Sequence, residues 1–235
     1  MHLKSIYEEL ASLYLRLNGF LQHINYVIET ANGIAKEVDI IAYRPAGAIE
    51  VDDSGKELEL DNSLFNNILK KLNIKNSPNI NTLIKNYSIA AIASVKSLYD
   101  EPWSENKENL KRKIDYALNI LGLSEKVKSC VLIKKGIHVV NNDKTIILLL
   151  GFSQSENSEN TISWRKSNTC YLRITHKAAL EFILKRIELH EEKKRRGIQY
   201  YPSPLFSTLI LLNKLKYKIP VSYTHLRAHE TSLHL

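Results

Sequence analysis

The stretch "YSIAAIASVK", residues 87–96, constrains the fold more than any other part of the chain. It carries no charge until Lys96, and it is the length of a strand rather than of a helix. A continuous apolar run of that length reads as a strand covered on both faces. Such a strand needs neighbours in its sheet and helices above and below it. Period-two alternation then sets Ser94 and Lys96 on one face. A lysine closing an apolar strand, with a serine two residues before it, has to be explained.

The flanking patterns supply the neighbours. Leu3, Ile6, Tyr7, Leu10, Leu13, Tyr14 and Leu17 form one apolar stripe at helical spacing, and Asn18-Gly19 supplies the stop. Residues 20–29 and 36–44, "FLQHINYVIE" and "KEVDIIAYR", flank Asn32-Gly33 and read as a hairpin. The acidic, turn-rich stretch from Pro45 to Asn62 reads as an excursion with a small hairpin at Ser54-Gly55, and Ser63 is placed to cap a short helix "LFNNILKKLN". After Pro102, Ser104 can cap a helix whose Leu110, Ile114, Ala117, Leu118 and Leu121 share a face, ended by Gly122. Two more strands, "VKSCVLIKKGIHVV" and "KTIILLLGF", lie around Asn141-Asn142, and "SQSENSENTISWRKSN" reads as a polar loop. Thr175 to about Glu192 is a further amphipathic helix, and Ser203-Pro204 opens the last one. The order is that of an α/β protein with a mixed sheet flanked by helices. The expected organisation is an α/β core over residues 1–174, a C-terminal helical region over 175–220 packed on it, and a tail over 221–235. That tail, "VSYTHLRAHETSLHL", breaks the preceding pattern and is expected to be non-native, so its i, i+4 pair His225 and His229 is set aside.

Composition narrows the function classes. Lys and Arg number 33 against 25 Asp and Glu, a net charge of +8, which favours a polyanionic partner. Cys130 and Cys170 stand alone, without zinc or disulfide spacing, so a reducing cytoplasm is the expected compartment. Nowhere do about 18 apolar residues run together, so no membrane span is expected. The chain has no P-loop, G-x-G-x-x-G or G-x-S-x-G motif, which leaves nucleotide-cofactor and serine-hydrolase readings without support.

Two charged residues in apolar strands carry the chemistry. Asp39 lies among Val38, Ile40 and Ile41. A carboxylate buried there needs a cation, a metal or several donors beside it, because an unpaired buried charge costs several kcal/mol. Lys96 poses the mirror problem. If the two strands are neighbours, acid and lysine converge at one edge of the sheet, as a structural ion pair, as two strand ends reaching water, or as a site.

The blocks "LYLRLNGFLQHINYVIE", "KEVDIIAYRP", "YSIAAIASVKSLYDEPWSENKENLKRKIDYALNILGL" and "FILKRIELHEEKKRRGIQYYPSPLFSTLI" together resemble an uncharacterised bacterial group within the PD-(D/E)XK, restriction-endonuclease-like superfamily. In that superfamily a helix leads into a hairpin whose second strand bears a metal-binding Asp, and the next strand bears an acid-x-Lys motif. The resemblance implies Asp39 as metal ligand, Lys96 as catalytic lysine, Mg²⁺ or Mn²⁺ as cofactor, DNA as substrate, and a homodimer as in many members. Phosphodiester hydrolysis uses carboxylate-held cations to activate water and offset developing charge, and a lysine adds electrostatic stabilisation.

Ser94 departs from the pattern, which has an acid at that position. Substitute carboxylates are Glu105 and Glu108 at the start of the following helix, Glu37 on the strand face of Asp39, and an auxiliary Glu9 on the first helix; ordinary solvated or helix-end roles stand beside each. The alternative is a catalytically inactive nucleic-acid-binding or interaction module of the same fold. Lys193, Lys194, Arg195 and Arg196 form a basic cluster read as a solvated helix end or a phosphate-contacting patch.

Overall fold

The computed structural model describes residues 3–28, 36–49, 57–72, 79–97, 102–103, 107–123, 137–140, 144–154, 161–164, 167–191 and 204–214. The chain divides into two compact units, Met1–Ile198 and Gln199–Leu235. The first opens with helix α1, Leu3–Leu17, and strands β1, Leu21–Ile28, and β2, Lys36–Arg44. Helices α2, Asn62–Leu72, and α3, Ile80–Asn86, precede strand β3, Ser88–Val95. Helix α4, Lys107–Ile120, leads to strands β4, Ile137–Val140, and β5, Thr145–Ser153. Strands β6, Thr161–Trp164, and β7, Ser167–Cys170, pair with each other in a two-stranded sheet, and β8, Leu172–Thr175, returns to the main sheet before helix α5, His176–Glu191. Helix α6, Pro204–Lys214, lies in the second unit and begins at the proline that the sequence marks as its first position.

The main sheet is mixed and open, in the order β1-β2-β3-β5-β4, with β8 also on β5. β1, β2 and β3 are antiparallel neighbours; β3 and β5 are parallel, with α4 and β4 between them in the chain. Beyond β5 one position is shared. β4 pairs antiparallel with Thr145–Leu148, and β8 pairs parallel with Leu150–Ser153. The carboxyl ends of three parallel strands, β3, β5 and β8, therefore lie together.

Alternation along β5 shows how both faces are covered. Phe152 meets Tyr14 of α1 edge-on, and Tyr14 also meets Phe182 of α5, so α1 and α5 pack on one face. On the other, Ile147 and Leu149 join Ile92, Ile41, Trp103 and the Ile114, Ala117 and Leu118 stripe of α4. Every residue of β5 is buried, which accounts for its unbroken apolar sequence.

Local chemistry fixes the boundaries. Gly19 has φ +82°, and Gly19 N donates to Arg16 O at 2.9 Å while Phe20 N donates to Leu15 O at 3.1 Å, the double closure that ends α1. Gly122, at φ +67°, closes α4 in the same way. The cap of α2 differs from expectation. Asp61, not Ser63, accepts from a helix N–H, that of Ser63 at 2.9 Å, because its carboxylate is already oriented by Tyr14 Oη and its N–H is held by Asn18 Oδ1 at 2.7 Å. Helix α3 was not expected; Asn79 caps it through Thr82 N at 2.8 Å.

One buried cation ties the edge of this arrangement. Arg44 is fully buried and donates to Asn18 O at 3.2 Å, to Ile84 O at 3.3 Å and to Ala48 O, with its guanidinium carbon 5.6 Å from the Phe65 ring centroid. Burial lowers its pKa to about 10, so it remains charged at neutral pH. Among the described residues no helix is long and apolar enough to cross a membrane.

Candidate functional site

β2 and β3 diverge at their ends. Their last paired residues are Ile40 and Ala93, so one step further places Asp39 opposite Ser94. Where the ladder stops, the Asp39 side chain takes over as acceptor: Oδ2 accepts the Val95 N–H at 2.7 Å. Asp39 is 8 % and Ser94 5 % exposed, so the carboxylate is held in a nearly dry corner. The strand pairing that the sequence argument required is present. The carboxylate reaches the residue immediately before Lys96.

Lys96 is anchored on both sides. Its N–H continues the parallel ladder by donating to Phe152 O at 2.9 Å, and its carbonyl lies 2.7 Å from His176 Nε2. The carbonyl can only accept, so Nε2 carries the proton and donates. His176 is buried at the first turn of α5, and its ring lies 4.4 Å from that of Tyr7 in α1 at an angle of 33°. Burial lowers its pKa, and the Lys96 carbonyl opposes that in part. Two elements, β5 and α5, thus fix the backbone of one lysine. Its side chain is half-buried.

The other sequence candidates are distributed differently. Glu9 is half-buried, whereas its neighbour Glu8 is 5 % exposed on the covered side of α1. Glu37 pairs with Val27 in the hairpin, and Glu108 lies in the first turn of α4; their side chains are outside the described ones. Glu105 and the cluster Lys193, Lys194, Arg195 and Arg196 fall outside the described residues. Trp103 packs in the core against α4 and donates from Nε1 to Leu150 O at 2.8 Å, a structural use of its indole.

A hard divalent cation gathers several oxygen ligands, more than one of them usually anionic. Among the described residues no group of three His, Cys, Asp or Glu could hold one, and Asp39 already commits an oxygen to Val95. The described side chains therefore do not fit a Mg²⁺ site. Ser94, where the resembled pattern has an acid, accounts for much of the shortfall.

Sequence reasoning missed Glu8, Tyr171 and Arg173. For Glu8 a signal was present: it lies four residues before the buried Ser12, on the same side of α1. For the others there was little, since the short strand β8 was not visible. Comparison with protein-family models, with curated proteins and with solved structures finds no match to this chain. What stands is an α/β protein with a mixed open sheet between helices.

Proposed function

We propose that this chain is a nucleic-acid-directed protein of restriction-endonuclease-like architecture, and that it holds a DNA phosphate at the Asp39–Ser94–Lys96 corner as a binding module. The observation that carries this reading is the double anchoring of Lys96, by Phe152 O and His176, beside a serine rather than a second acid. An ammonium carried on a fixed backbone can present charge to a phosphate without needing a metal shell. The order from α1 through the β1–β2 hairpin, β3, α4 and β5 agrees with what the resemblance implies. The net charge of +8 favours the same partner. A cytoplasmic location and a homodimer belong to this proposal as the resemblance and the cysteine usage imply them.

A second reading, a metal-dependent DNA endonuclease, is favoured by one observation. The Asp39 carboxylate is bonded to the residue next to Lys96. That reading requires another carboxylate, from Glu37, Glu105 or Glu108, and added Mg²⁺ or Mn²⁺.

Supercoiled plasmid separates the two. The full chain is incubated with it, with either cation and without, and both retention and nicking are scored. The binding reading expects salt-sensitive retention without nicking, weakened by Lys96→Ala. Nicking that needs the cation and disappears in Asp39→Ala and Lys96→Ala supports the endonuclease. Neither retention nor nicking contradicts both.

A further inference from the structure

The parallel strands β3, β5 and β8 end at one edge, and open α/β sheets receive ligands outside the carboxyl ends of their strands. Register places Ser94 beside Gly151 and Gly151 beside Arg173, so these three residues form one row on one face. The next row continues from the Val95–Phe152 and Ser153–Thr175 pairs: Lys96, Ser153, Thr175. Within β3, β5 and β8 neither row contains an acid; the first continues onto β2 at Asp39, whose carboxylate accepts from the Val95 N–H. Each row contains one cation, and the two cations stand at opposite ends of the rows.

The middle of the first row is shaped around an aromatic ring. A Cβ on Gly151 would come within 2.6 Å of Tyr171 Cδ2 and 2.8 Å of Pro102 Cβ, so only glycine lets Tyr171 lie directly on the sheet. Tyr171 in turn holds Arg173: Nη2 donates to the Tyr171 hydroxyl at 2.7 Å, and the guanidinium carbon lies 5.6 Å from the ring centroid. An arginine ordered in this way loses less side-chain entropy on meeting a ligand. It is half-buried, so solvent reaches it. In the second row Ser153 is fully buried and its Oγ has no hydrogen-bond partner in the structure. A buried hydroxyl without a partner is uncommon, and this one lies beside Lys96 in its row.

Ser94 and Arg173 are two strand spacings apart, about 10 Å between Cα atoms. We propose that Arg173, held by Tyr171, is a second phosphate-binding cation of this site, and that with Lys96 it grips backbone phosphates of a nucleic-acid strand. The inference rests on the phosphate-directed reading and extends it to a residue that the acid-x-lysine resemblance does not include. Arginine at this position offers several donors in a fixed plane, which suits phosphate oxygens better than an ammonium alone.

The test is binding of the full chain to a fluorescein-labelled DNA duplex, by anisotropy, across a series of salt concentrations. Arg173→Ala is expected to weaken binding about tenfold, as loss of one charge-assisted hydrogen bond does, and to reduce the slope of log affinity against log salt by about 0.9. Arg173→Lys should keep the slope and recover part of the affinity. Tyr171→Phe retains the ring over Gly151 and should lower affinity severalfold with the slope unchanged. Unfolding midpoints of the Lys and Phe variants near that of the parent exclude a general loss of fold. If the parent chain binds and Lys96→Ala weakens it, but Arg173→Lys, Arg173→Ala and Tyr171→Phe all bind as the parent does, the inference is overturned and the phosphate-directed reading stands. If the parent chain does not bind the duplex, both fall.

Discussion

His176 donates from Nε2 to the carbonyl of Lys96 at 2.7 Å, joining the start of α5 to the residue at which β3 ends. The contact requires only a donor, yet a histidine makes it, and the histidine is buried against Tyr7 with Nδ1 lacking a hydrogen-bond partner. Protonation would place a second N–H where nothing accepts it.

A pH dependence of stability follows. Burial holds the folded-state pKa of His176 below its ordinary 6.5. Above that ordinary value both folded and unfolded chains carry it neutral, and its full contribution is present. As pH falls from 6.5 through the folded-state pKa, the unfolded chain binds the proton first, and stability drops. His176→Gln keeps a donor without titrating. Urea unfolding between pH 7 and 5 should show the parent losing more stability than this variant; equal losses would contradict the assignment.

Gly151→Ala should destabilise the fold by about 1–3 kcal/mol through overpacking. The added methyl meets Tyr171 and Pro102, both of them buried. The cost should shrink in a Tyr171→Ala background, because the two changes share one space. Additive effects in the four-variant urea cycle would show that the ring does not occupy the glycine's place.

Arg44→Met should cost about 3 kcal/mol or more. It leaves the carbonyls of Asn18, Ile84 and Ala48 without the donors that Arg44 supplies in a buried setting. Arg44→Lys should recover little, since one ammonium cannot span three acceptors arranged around a planar fork. Denaturant midpoints of the two variants check this, and a Lys variant as stable as the parent would refute it.

The elements that sequence made visible are those whose pattern is local. The α1 stripe, the hairpin around Asn32-Gly33, the β3 run and the α4 face all announce themselves by periodicity or by glycine stops. What failed was short or paired at a distance. The stretch "SQSENSENTISWRKSN", expected to be a loop, contains β6 and part of β7, whose polar residues make strands only because they pair with each other. β8 is four residues long, and the apolar face of Leu172 and Ile174 is too brief to separate from the helix that follows. Arg173 was hidden with it. Asp39 and Lys96 stood out because a charge in an apolar strand demands a reason. The reason found for Asp39, replacement of a ladder acceptor at Val95, depends on where two strands part and is not written in either one. Glu9 lies at the border of the α1 stripe and Glu8 on its covered side, since one residue turns a helical side chain by about 100°.

The proposed phosphate contact lies at the carboxyl edge of β3, β5 and β8. Titrating the ¹⁵N-labelled chain with a short DNA duplex and following its amide resonances tests this most directly. The largest shifts are expected at Val95, Lys96, Ser153 and Arg173, diminishing with added salt. Shifts confined to other parts of the chain, or none at saturating duplex, would contradict it.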